Sequence, residues 1–258
     1  MTHNTGSLSL RGKIVVVTGG GTGVGRSVCL QAAAAGAEGV AVVFHSSVTA
    51  ASEVVNEVEA LGSIGVAYQC DTSNDQQVRT MMANIVDRFG HIDVLVNNAA
   101  STHFVPAHDL EALTDEVWDD VLSVNLMGAF YCSRAAGQAL KESAGMIINV
   151  SSTSGLRASG SSIPYCVSKA GLLQLTRNLA VAMAPEVRVN SIVPGYIATD
   201  WRARHGHSAP ELEQAVAAST PLGRVATAED IAQAIVSLML TGYITGSEIV
   251  VDGGKSIC

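Results

Sequence analysis

Short aliphatic runs recur along this chain, and the segments between them have helical character. "KIVVVT" at 13–18, "VAVVF" at 40–44, "IGVAYQC" at 64–70 and "DVLVNNA" at 93–99 are runs of this kind. "MIINVSS" at 146–152, "VRVNSIVP" at 187–194 and "SEIVVDGG" at 247–254 complete the set. Continuous β-branched runs of this length are the mark of strands buried on both faces. Helices are predicted between them over 26–37, 49–62, 75–90, about Thr114 to Leu140, about 164–184 and 227–240. The second carries apolar residues at 54, 55, 58 and 61, and glycines close the first and third. Strict alternation predicts an α/β fold, a doubly wound parallel sheet of seven strands with helices on both faces. In such sheets the ligand crevice lies at the carboxyl ends of the strands.

The chain has 258 residues, and no repeat, linker or low-complexity break divides it. One domain over 13–258 is expected after a loose tail over 1–12. The irregular stretch at about 196–220 interrupts the rhythm and is expected to be a substrate lid beside the crevice. Aromatics are only 4% of residues, so the core is aliphatic and closely packed. Net charge is −8 with no basic run, which argues against nucleic-acid binding. No apolar run reaches the length of a membrane span, and the first ten residues lack signal-peptide order. Five cysteines without metal-ligand spacing fit reduced thiols in a cytoplasm. No metal site is expected.

Between the first strand and the first helix stands "TGGGTGVGR", residues 18–26. Gly19, Gly23 and Gly25 follow a T-G-x-x-x-G-x-G pattern. Glycines let backbone approach a pyrophosphate, and the helix N-terminus offers N–H groups and the positive end of a dipole. The strand–loop–helix context supports a dinucleotide site. Further along, "SIPYCVSKAG" (162–171) places Tyr165 and Lys169 four apart at a helix start, so they share one face. A nearby ammonium favours a phenolate and is expected to lower the phenol pKa.

These two features together resemble the short-chain dehydrogenase/reductase family, and the resemblance runs from Lys13 to Gly254. Further matches are "NNA" at 97–99, "VN" at 124–125, "NVSS" at 149–152, "PG" at 194–195 with Thr199, and "VDGG" at 251–254. The resemblance implies a Rossmann-type oxidoreductase. Tyr165 would be the general acid or base, and Lys169 would bind the nicotinamide ribose and tune the tyrosine. Ser152 would orient the reacting oxygen, with Ser151 a neighbouring candidate. Asn125 matches an asparagine that holds a water in the proton relay. Gly19, Gly21, Thr22, Gly23, Val24 and Gly25 would line the pyrophosphate and adenosine ribose. Asp71 and Thr72 would lie beside the adenine. Asn98 and Ala99 would offer backbone groups near the riboses. Pro194, Gly195, Ile197 and Thr199 would meet the carboxamide.

The nucleotide is selected near the end of the second strand, where an Asp or Glu repels a 2′-phosphate. Here Phe44 takes that position, followed by His45, Ser46 and Ser47. With no carboxylate present, NADP(H) is favoured and NAD(H) remains the alternative. Ala100 departs from the family's N-N-A-G. Ser101, Thr102, His103, residues 153–163 and the lid are expected to line the substrate pocket. His103 and His108 read as wall or surface residues and Cys166 as packed. Trp201, Arg202 and Arg204 could meet an anionic or aromatic substrate.

Among relatives the chain looks most like the 3-oxoacyl-[acyl-carrier-protein] reductase type, which would act on a small carbonyl or alcohol. A carrier-linked substrate would require a basic patch, for which Arg134 and Arg177 are candidates. A sugar, polyol or steroid dehydrogenase is the alternative, and a silent nucleotide-sensing regulator is an alternative of another class. The resemblance also implies a homotetramer formed through the long helices and the last strand.

Overall fold

The computed structural model describes residues 9–199, 201, 207 and 210–258. Each aliphatic run forms a strand: β1 (Ile14–Thr18), β2 (Gly39–Phe44), β3 (Ile64–Gln69), β4 (Val94–Asn97), β5 (Met146–Val150), β6 (Arg188–Pro194) and β7 (Glu248–Val251). They make one parallel sheet in the order β3-β2-β1-β4-β5-β6-β7. The helices are α1 (Gly23–Ala34), α2 (Val48–Ala60), α3 (Asp75–Phe89), α4 (Asp115–Leu122), α5 (Ala129–Glu142), α6 (Ile163–Ala182), α7 (Pro210–Ala218) and α8 (Ala228–Met239). This is the expected α/β, Rossmann-type, doubly wound architecture.

Side chains alternate across the sheet and supply two cores. Val15, Val17, Val40 and Val42 pack with Val28 of α1, Val54 of α2 and Ile231 of α8. Val16, Ala41 and Val43 face the other way, onto Val78 and Met82 of α3 and Ala136 of α5. Burying each valine contributes about 1.5–3 kcal/mol. β3 differs: its burial alternates because it is an edge strand. Leu10 also differs from its expected place in a loose tail. It is buried, and its N–H donates to the Ala35 carbonyl at 2.9 Å.

The strand order reverses between β1 and β4, which opens a crevice at their carboxyl ends. The helix expected from Thr114 to Leu140 is not uniform. Thr114 precedes α4 at its N-cap position, a π-helical turn spans Ser123–Gly128, and α5 continues from Ala129. Wide turns of this kind concentrate at functional sites, and this one contains Asn125. The segment expected to be a lid contains α7. Arg202 and Arg204 lie outside the described residues. Among the described residues no helix is long and apolar enough to cross a membrane.

Candidate active site

The glycine loop turns from β1 into α1 under close packing. A Cβ on Gly25 would stand 2.1 Å from the Gly19 carbonyl oxygen, and Gly19 and Gly23 have φ of +63° and +53°. No acidic residue stands in the first turn of α1, so that end keeps its positive field. Asn98 fixes the loop from β4: its Nδ2 donates to the carbonyls of Thr18 at 2.9 Å and Gly19 at 3.2 Å. In return, Thr18 Oγ1 accepts the N–H groups of Asn98 (2.9 Å) and Ala99 (3.0 Å). The expectation that Asn98 and Ala99 offer backbone groups therefore narrows to their carbonyls. Both N–H groups already serve Thr18, which the sequence reading did not single out.

Ser162 caps α6, its hydroxyl accepting the Tyr165 N–H at 3.4 Å, and Pro164 stands in the first turn. That cap sets Tyr165 at the helix start and Lys169 one turn deeper. The Ser152 hydroxyl lies near enough to the Tyr165 phenol to pull its pKa down, and it accepts Ser154 N–H at 3.1 Å. Ser151 turns the other way, its hydroxyl donating to the Lys169 carbonyl at 2.9 Å. The geometry thus separates the two candidate serines: Ser152 faces the phenol and Ser151 braces the helix.

Lys169 is only 3% exposed. Its ammonium donates to the Val150 carbonyl at 2.8 Å and lies 5.7 Å from the Tyr165 ring centroid. The expected lowering of the phenol pKa is not what the structure shows. Burial is the largest influence on Tyr165 and pushes its phenol up to about 12, against a smaller opposite pull from Ser152. Burial also pushes the Lys169 ammonium down to about 8. Desolvation acts against charge in both groups.

Asn125 is 1% exposed and spends its side chain on structure. Its Oδ1 accepts the Ser101 N–H at 2.7 Å, and its Nδ2 donates to the Ser101 carbonyl and to Ser168 Oγ, each at 3.0 Å. Both amide protons are therefore committed to protein partners, so a relay water would meet Asn125 at an oxygen. Ser168 in turn donates to the Tyr165 carbonyl at 2.7 Å. A chain of bonds thus ties the wall after β4 to the helix that carries the tyrosine.

The selector turn after β2 divides in two. Phe44 is buried in the core on the α1 and α2 face, so its ring offers no polar contact to a nucleotide. Its period-two alignment with Val40 and Val42 was a readable signal of this. His45, Ser46 and Ser47 are exposed. Asp71 Oδ1 accepts from Ser73 N–H and Oγ–H, and Thr72 is buried where a Cβ on Gly128 would touch it. After β6, Gly195 packs on Asp252, and Ala198 N–H donates to the Ala226 carbonyl beside the Ile197–Ala226 bridge. The Thr199 methyl lies 3.9 Å from where a Cβ on Gly23 would stand. The structure thus brings both sides of the expected nucleotide crevice together.

The matched asparagines hide a further device. Asn97 Nδ2 donates to Asn149 Oδ1 at 2.8 Å, and Asn149 Nδ2 donates to Thr176 Oγ1 at 2.9 Å. This buried relay pins β4, β5 and α6 under the site. Among the described residues, no three His, Cys, Asp or Glu side chains gather as a metal site.

Residues 19–256 match the protein family described as enoyl-(acyl carrier protein) reductase. A Streptomyces violaceoruber protein named as ketoacyl reductase 2 of the granaticin polyketide synthase is 40% identical, over 95% of this chain and 96% of its own. The 3-oxoacyl-[acyl-carrier-protein] reductase of Staphylococcus aureus is 36% identical, over 94% and 97%. L-Rhamnose 1-dehydrogenase (NAD(P)(+)) of a Sphingomonas species is also 36% identical, over 96% and 98%. Among solved structures, a short-chain type dehydrogenase/reductase from Mycobacterium marinum superposes with a TM-score of 0.87 at 32% identity, covering 97% of this chain and 98% of that one. With matches that span nearly the whole length, this chain belongs to the short-chain dehydrogenase/reductase family of oxidoreductases.

Proposed function

We propose that the protein is an NADP(H)-dependent carbonyl reductase acting on a ketone to give a secondary alcohol. The observation that carries this reading is the Ser152–Tyr165 hydroxyl pair with the Lys169 ammonium one turn below. The residues fit a dinucleotide. Gly19, Gly21, Thr22, Gly23, Val24 and Gly25 make a tight turn in which even a Cβ at Gly25 would strike the Gly19 carbonyl, at a helix end without acid. Asp71, Thr72, Asn98 and Ala99 would hold the adenosine side, and Pro194, Gly195, Ile197 and Thr199 the carboxamide side. The nucleotide supplies the hydride when bound.

The chain's own groups handle the oxygen and its proton. The Ser152 hydroxyl hydrogen-bonds the carbonyl oxygen and steadies it as negative charge develops there. Tyr165 Oη–H donates the proton to that oxygen. A phenol pushed up to about 12 stays protonated at neutral pH, which favours the reductive direction. Lys169 keeps a cation beneath the phenol so that the phenolate left behind is stabilised. Asn125 acts as a positioning residue for Ser101 and, through Ser168, for Tyr165.

The selector turn supports NADP(H): His45, Ser46 and Ser47 are exposed and no carboxylate stands among them. We place the protein in the cytoplasm, where its free thiols stay reduced. We assemble it as a homotetramer through α5, α6 and β7; Val167 and Val181 of α6 and Val250 of β7 are exposed. The deciding experiment is Tyr165→Phe, assayed on ketones with NADPH and NADH. Turnover falls by about 10²-fold or more, while nucleotide binding by fluorescence titration persists. Wild-type rates in the variant would overturn the assignment.

A further inference from the structure

The segment that continues the wall of this site from β4 into α4 is strongly acidic. It begins at Ser101, which Asn125 grips, and runs on through Thr102 and Val105. Thr102 bonds the Ser161 hydroxyl, and Val105 N–H donates to the Ser161 carbonyl at 2.9 Å. Phe104 lays its ring 4.4 Å from that of His207. From Ser101 to Leu122 the sequence holds Asp109, Glu111, Asp115, Glu116, Asp119 and Asp120, with no Lys or Arg. All six carboxylates are exposed.

Asp120 ties this acidic segment to the pocket wall. Its Oδ2 accepts the Ser101 hydroxyl at 2.5 Å and His103 Nε2 at 2.9 Å. The other borders do not restore balance. Residues 153–163 carry net +1 through Arg157, whose guanidinium is donated to the Lys255 carbonyl at 3.2 Å. By sequence, residues 196–220 carry net −1, so the three segments 101–122 (−6), 153–163 (+1) and 196–220 (−1) together hold −6 of the chain's −8. The two arginines expected to form a basic patch are tied up elsewhere. Arg134 pairs with Asp75 at 2.7 Å and stacks on Phe130 and Tyr131, and Arg177 pairs with Glu248.

A cleft bordered by one sign of charge focuses its field and sets which molecules approach. Like-charged surfaces repel at encounter, and the repulsion acts mainly on association. We infer that the substrate reaches this site as a free, uncharged carbonyl compound and not as a thioester carried by an acidic carrier protein. This inference rests on the carbonyl-reductase reading above, and it separates this chain from relatives named for carrier-bound substrates.

The test holds the reacting group constant and changes only what carries it. A 3-oxobutanoyl group is offered as the uncharged N-acetylcysteamine thioester, as the polyanionic coenzyme A thioester and on an acidic acyl carrier protein. The uncharged form is expected to show kcat/KM about tenfold or more above the carrier-bound form at low salt, with the gap narrowing as salt rises. Glu111→Lys combined with Asp119→Lys changes exposed side chains outside the reacting group. It is expected to raise kcat/KM on the carrier-bound form and leave the uncharged form unchanged. A preference for the carrier-bound form that weakens with salt would overturn the inference and leave the reductase reading intact. Absence of turnover on every carbonyl, with nucleotide still bound, would overturn both.

Discussion

Asn125 grips Ser101 by both of its backbone groups, accepting the N–H at 2.7 Å and donating to the carbonyl at 3.0 Å. Its remaining amide proton goes to Ser168, which donates to the carbonyl of Tyr165. One side chain therefore sets the distance between the pocket wall and the proton donor. Asn125→Ala would orphan these groups in a buried place, at a cost of about 1–3 kcal/mol. That corresponds to a fall in Tm of about 2–10 °C for a chain of this size. The expected kinetic result is a loss of kcat of about tenfold, with nucleotide affinity nearly unchanged. Thermal unfolding, steady-state rates and a nucleotide titration check the three parts, and an unchanged kcat would show that the grip does not position Tyr165.

Lys169 makes both activity and stability depend on pH. Its folded-state pKa is pushed from 10.5 down to about 8 by burial. The native protein therefore binds fewer protons than the unfolded chain between those values. The cost of burying the charge is fully present below about 8 and is relieved as pH rises toward 10.5, by about 3 kcal/mol in all. The stability of wild type relative to Lys169→Met is expected to rise with pH over that window, measured by denaturant titration at several pH values. In the same window kcat/KM for ketone reduction falls as the amine loses its charge, since that ratio reports groups of the free enzyme. A flat profile from pH 7 to 10 would show that the cation is not needed.

Two glycines of one loop are expected to behave differently. A Cβ at Gly25 would meet the Gly19 carbonyl oxygen at 2.1 Å and Asn98 Nδ2 at 2.7 Å, so α1 must shift to accept it. A Cβ at Gly21 would meet Ala51 at 3.4 Å, an ordinary contact. Gly25→Ala is expected to weaken nucleotide binding by about 10²-fold or more, because the backbone no longer approaches the pyrophosphate. Gly21→Ala is expected to bind within a few fold of wild type. Fluorescence titration with NADPH compares them, and equal affinities would remove the loop from the binding account.

What the sequence revealed followed the range of each interaction. Parallel strands buried on both faces, such as Val15–Val17, leave contiguous aliphatic runs, so the sheet was readable. Tyr165 and Lys169 are linked by one helical turn, so their pairing was readable too. The bond from Thr18 to Asn98 spans 80 residues and leaves no local mark. The grip of Asn125 on Ser101 and the π turn that delivers it are tertiary in the same way. The direction of the phenol shift is not legible, because the spacing of Tyr165 and Lys169 shows a charge nearby but not how far both groups are desolvated. Phe44 was read by its place at the strand end, while its burial follows from the period-two face it shares with Val42.

That burial decides where nucleotide preference can be altered. Phe44 is 8% exposed and packs in the core, so a carboxylate there would be buried without a partner and would unfold the strand end before selecting any ligand. His45 is the next residue along, exposed, and its carbonyl is held by Gln69 Nε2 at 3.0 Å. That bond fixes the turn whatever side chain stands there. His45→Asp would place a negative charge where a 2′-phosphate approaches and leave the core untouched. The expected outcome is a fall in kcat/KM for NADPH of about tenfold or more, about 1.4 kcal/mol of repulsion, with NADH nearly unaffected. The penalty shrinks as salt is raised, because the charges meet near solvent. Kinetics with both nucleotides on wild type and variant check it, and a wild type that already prefers NADH would remove the 2′-phosphate from this turn.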